Sequence, residues 1–170
     1  MQPSSVTERQ AGQSSPAPLH VLTLGLDQEV FALETERVLE VLDVVAVTTV
    51  PNARRFIRGL INVRGRVVPV TDLRSKFGMG DAPTTPDTRI IVIEVVLRGQ
   101  LSTVGILADR VYEVAELPHA SLEETPRLGM TWRPEFIKSI GKRGDGFVIV
   151  LDIEKVFASE EAPISSPAGS

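Results

Sequence analysis

The stretch FIRGLINVRGRVVPVTDLRSKFG, residues 56–78, decides the reading of this chain. Two short runs rich in Val, Ile and Leu flank Val63-Arg64-Gly65-Arg66-Val67. That has the form of a tight connection between two strands, in which Gly65 supplies a positive φ at low cost. The second run ends at Asp72, whose carboxylate can accept backbone N–H groups as the cap of a short helical turn. The same stretch is basic. From Arg54 to Lys76 there are seven cations (Arg54, Arg55, Arg58, Arg64, Arg66, Arg74, Lys76) and one acid, Asp72, in a chain with 22 acids and 18 bases. A surface so divided points to binding.

Laid over FIKSIGKRGDGFVIVLDIEKVF, residues 136–157, at a shift of eighty and without a gap, the stretch repeats itself. Phe56 meets Phe136, Ile57 meets Ile137, Val68 meets Val148, Val70 meets Val150, Asp72 meets Asp152 and Phe77 meets Phe157. Those six identities in 22 positions exceed the roughly one that average residue usage gives by chance. Upstream, ERVLEV (36–41) and DRVYEV (109–114) match at a shift of 73. The chain reads as two copies of one β unit. Positions kept in both copies serve the shared fold: Asp72 and Asp152 as helix caps, Phe56, Phe77, Phe136 and Phe157 as core anchors. A distinctive residue in one copy is free to serve something else. Opposite Arg64 the second copy carries Gly144, then Asp145, so the turn itself does not require arginine. Arg64 is left as an exposed planar donor suited to a carboxylate.

Farther out, the segments LHVLTLGL, VFAL, VVPV, RIIVIEVVL, STVGILADRVYEV and FVIVLDI recur between turn residues, which predicts a mainly β chain. Short helices are expected only at 34–42 and just after Asp72 and Asp152. Residues 78–88, GMGDAPTTPDT, read as a connector between halves. Residues 1–18 and 159–170 are rich in Ser, Pro and Ala and read as disordered tails around one domain, 19–158. With 170 residues and 42% apolar content, one core forms without staples. Cysteine is absent, which removes disulfides and thiolate chemistry and is compatible with a reducing compartment. No signal peptide or membrane span is evident, so a cytoplasmic protein is expected.

The same stretch resembles the signature of CheW-type chemotaxis coupling proteins. It has a glycine after the Phe-Ile pair, then Asn-x-Arg-Gly, then an apolar strand with a central proline running into Asp-Leu-Arg. ILADRVYEV and FIKSIGKRGDGFVIVLDIEKVF match the family's second half in order, and the resemblance extends over residues 19–158. It implies two pseudo-symmetric five-stranded SH3-like β-barrels with short helices. It also implies a non-catalytic adaptor that joins the cytoplasmic tips of chemoreceptors, in receptor arrays, to the regulatory domain of the histidine kinase CheA. Carried over, the contact residues are Val38 and Glu40 in ERVLEV, Gly59 in FIRGL, and Arg64 with Gly65 in NVRG. Arg54 and Arg55 make the approach more basic than the family pattern, which bears on receptor preference.

Three other readings compete. A nucleic-acid-binding barrel would use the basic strip, but the Trp and the Tyr lie outside it and the formal charge is −4. An enzyme lacks a nucleophile with a base, and His20 and His119 show no metal-ligand spacing, so no cofactor or metal is expected. Within the resemblance, an adaptor of a non-flagellar pathway, pilus motility or second-messenger control, fits the same residues.

Overall fold

The computed structural model describes residues 17–54, 56–124 and 134–161. The expected tails therefore lie outside the described residues except at 17–18 and 159–161, as does Arg55. The described chain begins with β1 (Leu19–Leu26), β2 (Glu29–Glu34), a 3₁₀ turn (Thr35–Arg37) and β3 (Val38–Asp43). There follow β4 (Ile57–Val63), β5 (Arg66–Asp72) and a helical turn, α1 (Leu73–Lys76). The second copy contains β6 (Arg89–Leu97), β7 (Gln100–Ala108), β8 (Arg110–Leu117), the two-residue β9 (Leu122–Glu123), β10 (Ile137–Arg143), β11 (Gly146–Leu151) and α2 (Ile153–Glu161).

These strands form two sheets, ordered β3-β6-β7-β5-β4 and β8-β1-β2-β11-β10-β9. The first curls closed where Thr48, beyond β3, pairs with Leu60 of β4, each N–H donating to the other's carbonyl at 2.8 Å. The result is the expected pair of SH3-like barrels, one five-stranded as expected and the other carrying the two-residue β9 as a sixth strand, but they do not follow the two copies. The hairpin β1–β2 of the first copy sits beside β8 and β11 of the second, and β6–β7 of the second sits between β3 and β5 of the first. The 78–88 segment joins the copies in sequence, yet both strands it links, β5 and β6, belong to one barrel.

Crossing length explains the exchange. β1 is antiparallel to both β2 and β8, so within a barrel the strands on its two sides run the same way. A chain returning to run parallel in the same sheet needs about a dozen residues. Only Thr35–Arg37 separate β2 from β3, and only Asp109 separates β7 from β8. Each hairpin is thus too tightly tethered to fold back on its own copy, and the chain continues into the other barrel.

The phenylalanines found by the repeat are all buried and share one core cluster with Leu24, Leu26, Ile91 and Ile93. Phe56 packs on Phe157 with ring centroids 6.3 Å apart, and Phe136 packs on Phe77 at 5.9 Å. Those two contacts exchange under the eighty-residue shift, so the core between the barrels carries the pseudo-twofold. Each such ring contributes on the order of 2 kcal/mol by leaving water. Each barrel also has its own apolar cluster, around Ile61, Val70 and Val92 in one and around Val21, Leu117 and Val150 in the other.

Two helical expectations hold: the Arg74 N–H donates to Asp72 Oδ1 at 3.0 Å, and the Lys155 N–H to Asp152 Oδ1 at 3.2 Å. The third is corrected. Of residues 34–42 only the 3₁₀ turn is helical, and Val38–Asp43 is a strand paired with β6. The alternation of that strand, half-buried then exposed, was hidden because exposed Leu39 and Val41 are apolar while half-buried Glu40 is charged. Helix α2 runs through Glu161, beyond the domain end expected at 158.

Candidate functional site

The basic stretch is largely answered by the chain's own acids and rings. Arg58 pairs with Asp72 at 2.7 Å, Arg74 with Asp27 at 2.5 Å and Asp109 at 2.8 Å, and Arg64 with Glu40. Lys76 lies over the rings of Phe56 and Phe136, at 5.0 and 5.6 Å. Asp72 within the stretch and Asp27, Glu40 and Asp109 from outside it thus meet the cations in space, which breaks up the continuous phosphate-tracking strip that a nucleic-acid reading needs.

Arg64 occupies the first turn position between β4 and β5, with φ 53°, and Gly65 follows with φ 83°. Both central residues are left-handed, which is the hairpin turn whose twist matches its strands. Asn62 fixes it, its Oδ1 accepting the Gly65 N–H at 2.9 Å. The turn carries the Arg64 guanidinium across to β3, where Nε and Nη2 donate to the two carboxylate oxygens of Glu40, each at 3.1 Å. β3 and β4 are the opposite edges of the five-stranded sheet, so the pair spans the seam at which the barrel closes. Arg64 stays 78% exposed there, against 24% for Glu40. The hydrogen bond from Arg64 holds the Glu40 carboxyl below the ordinary glutamate value, against an opposing effect of burial that outweighs the further lowering by the Arg64 charge; the same bond raises Arg64.

Two of the five candidate residues are therefore a bonded pair, and Gly65 shapes the turn that joins them. Val38 opens β3 and packs, half-buried, against the core between the barrels. Gly59 is buried, away from the surface. With φ 152°, a Cβ there would stand 2.2 Å from the Thr48 carbonyl oxygen and 2.7 Å from Val47 Cγ1. Its lack of a side chain lets the Thr48 segment close the barrel, so Gly59 supports the surface from below.

The contrast drawn between Arg64 and its repeat counterpart needs correction. Arg143, one position before Gly144, forms an ion pair with Glu113, the residue that matches Glu40 at the shift of 73. Both barrels close their seam with an arginine on a glutamate. An ungapped comparison placed Gly144 opposite Arg64 because the second cation leaves from the last residue of its strand rather than from the turn. The pair thus has a structural share, and what remains particular to Arg64 is its exposure.

Sequence reasoning missed the apolar residues beside these pairs. Leu39 and Val41 flank Glu40 and are 48% and 40% exposed; Val67, in the Arg64 hairpin, is 69% exposed. Their counterparts Tyr112, Val114 and Phe147 are exposed too. Apolar residues at outward strand positions, kept in both copies, were the available signal.

A family model described as CheW-like domain matches residues 20–161. The chain is 32% identical to chemotaxis protein CheW of Klebsiella aerogenes over 151 residues, covering 89% of this chain and 87% of that one. It is 29% identical to chemotaxis protein CheW of Thermotoga maritima over 136 residues, with 80% and 85% covered. Protein FrzA of Myxococcus xanthus is 35% identical over 92 residues, about half of each chain (54% and 55%). Among solved structures, the scaffolding protein TtCheW from Thermoanaerobacter tengcongensis superposes with a TM-score of 0.74 at 32% identity, covering 85% of this chain and 91% of that one. With the duplicated barrels, the NVRG hairpin and the family match running through both copies, this chain belongs to the CheW-like domain family.

Proposed function

We propose that the protein is a non-catalytic adaptor of chemosensory signalling that couples the cytoplasmic tips of chemoreceptors to a CheA-type histidine kinase, recruited from the cytoplasm to receptor arrays. The observation that carries this reading is the CheW-like match across both barrels, 20–161, joined to relatives named for chemotaxis over most of their length. The geometry supports a docking role. An exposed guanidinium already oriented by Glu40 stands in a hairpin with exposed Val67, an arrangement suited to a helical partner with an acidic and an apolar side chain. Among the described residues no cluster of His, Asp or Glu could hold a metal ion, and no helix is long and apolar enough to cross a membrane.

The test is reconstitution. The full chain, a receptor cytoplasmic fragment and the kinase regulatory domain are mixed pairwise and together, and complexes are followed by sedimentation velocity. The reading expects each pair to form and the three to co-sediment; a chain that binds neither fragment at micromolar concentrations contradicts it. A second reading, an adaptor of another motility or second-messenger pathway, rests on the match to FrzA, a relative whose name is not a chemotaxis name. Affinity capture of this chain from cells that express it, followed by identification of the co-purifying receptor and kinase, separates the two.

A further inference from the structure

We propose that the hairpin β1–β2 is a latched element, able to leave its barrel as a unit, and that the buried Arg74 is its latch. Among the described residues the hairpin joins the rest of the chain only through Thr35–Arg37, whereas β6–β7 is joined at both ends. Its border with β11 is short, two parallel register pairs, Phe31↔Ile149 and Ala32↔Val150. Its other border, with β8, is longer and bulges between Leu22 and Leu24, where the Thr23 hydroxyl donates to the Glu113 carbonyl at 2.9 Å and accepts from the Glu113 N–H at 3.2 Å. Its tip reaches the helical turn of the other barrel. There Arg74, with a side chain only 9% exposed, donates from Nη2 to Asp27 in the tip at 2.5 Å, from Nη1 to Asp109 in the second crossing at 2.8 Å, and from Nε to the Gly80 carbonyl at 2.8 Å. The Asp27 N–H in turn donates to Asp109 Oδ2 at 2.7 Å. One guanidinium therefore ties the hairpin tip, the crossing and the connector together.

At the matching position of the second copy stands Glu154. It accepts from Arg37 in the first crossing at 2.8 and 2.7 Å and from the Val96 N–H at 3.3 Å. Each crossing between the barrels is thus pinned by the same helical position with opposite charge, but only the Arg74 cluster holds a hairpin tip by a buried ion. Removing Arg74 leaves Asp27 and Asp109 facing each other without a cation, and Asp27, 46% exposed, is free to move into water. Because Val21, Leu24, Leu26 and Phe31 are almost wholly buried, the open form is rare and is read by hydrogen exchange rather than by population.

The experiment is native-state amide exchange on the full chain, comparing Arg74→Met with the parent. Protection in β1 and β2 is expected to fall about a hundredfold, while β4 and β5 change by less than about threefold. An equal fall in both barrels, or none, overturns the proposal. Should Arg74→Met not fold, Asp27→Asn removes only the tip's share of the cluster. The same ordering of strands, with a smaller fall of about fivefold, supports the latch, and uniform change across the barrels overturns it.

Discussion

Arg64 and Glu40 form a two-point ion pair across the seam of the first barrel, Nε to Oε2 and Nη2 to Oε1, both at 3.1 Å. The planar guanidinium matches the carboxylate edge to edge, a geometry that lysine cannot supply. Mostly exposed on the arginine side, the pair orients a cation toward solvent at small cost in rotamer freedom, since the side chain is already held. Loss of either partner leaves the other as an unpaired charge at the barrel seam.

The pair sets a pH dependence whose sign follows from the Glu40 carboxyl being held below its ordinary value in the folded chain. A carboxylate of this kind contributes stability above its unfolded value and loses it as pH falls through the folded one. In a side-chain carboxyl NMR titration, the Glu40 midpoint is expected to move upward, toward ordinary glutamate, in Arg64→Ala. An unchanged midpoint would show that the pair does not persist in solution.

Gly59 and Gly65 are expected to respond differently to alanine. At Gly59 the new Cβ meets the Thr48 backbone, which closes the barrel and cannot yield cheaply. Gly59→Ala should lower stability by about 3 kcal/mol in urea denaturation. At Gly65 nothing lies within 4 Å, so Gly65→Ala costs only the left-handed backbone, about 1 kcal/mol. Equal losses would mean that barrel closure does not depend on the space at Gly59.

The two capping aspartates also differ in weight despite matching in sequence. Asp72 is 3% exposed and accepts from both the Arg74 N–H and the Arg58 guanidinium, whereas the cap bond of Asp152 is exposed. Asp152→Ala should cost about 1 kcal/mol, the usual value of a cap. Asp72→Ala should cost about 3 kcal/mol, because a buried acceptor and its cation lose each other. Thermal or urea unfolding of the two variants checks the order.

Much of this architecture was legible in the residues. LHVLTLGL and RIIVIEVVL are β1 and β6 to the residue, because bounded apolar runs of that length leave little choice. The duplication was visible in Phe56, Phe136, Phe77 and Phe157, since rings that pack across a pseudo-twofold must be kept in both copies. The exchange of hairpins was not visible. It follows from the shortness of the crossing after Glu34, and reading 34–42 as helical concealed that crossing. The bond between Glu40 and Arg64 was equally hidden. Each residue could be singled out, but closing a barrel across 24 positions is a fact of tertiary structure. The matching pair in the second copy was masked by the one-residue offset of Arg143.

That matching pair makes the role of Arg64 the point on which the account turns, and a charge exchange tests it. Binding of a receptor cytoplasmic fragment is measured by titration calorimetry for the parent, Arg64→Glu, Glu40→Arg and the double exchange, with the thermal midpoint of each. A partner-facing arginine predicts that Arg64→Glu weakens binding about tenfold or more. It also predicts that the double exchange, although it rebuilds the pair and returns the midpoint to the parent value, does not recover affinity. Full recovery of binding in the double exchange would contradict the account, leaving the pair as a clasp of the barrel alone.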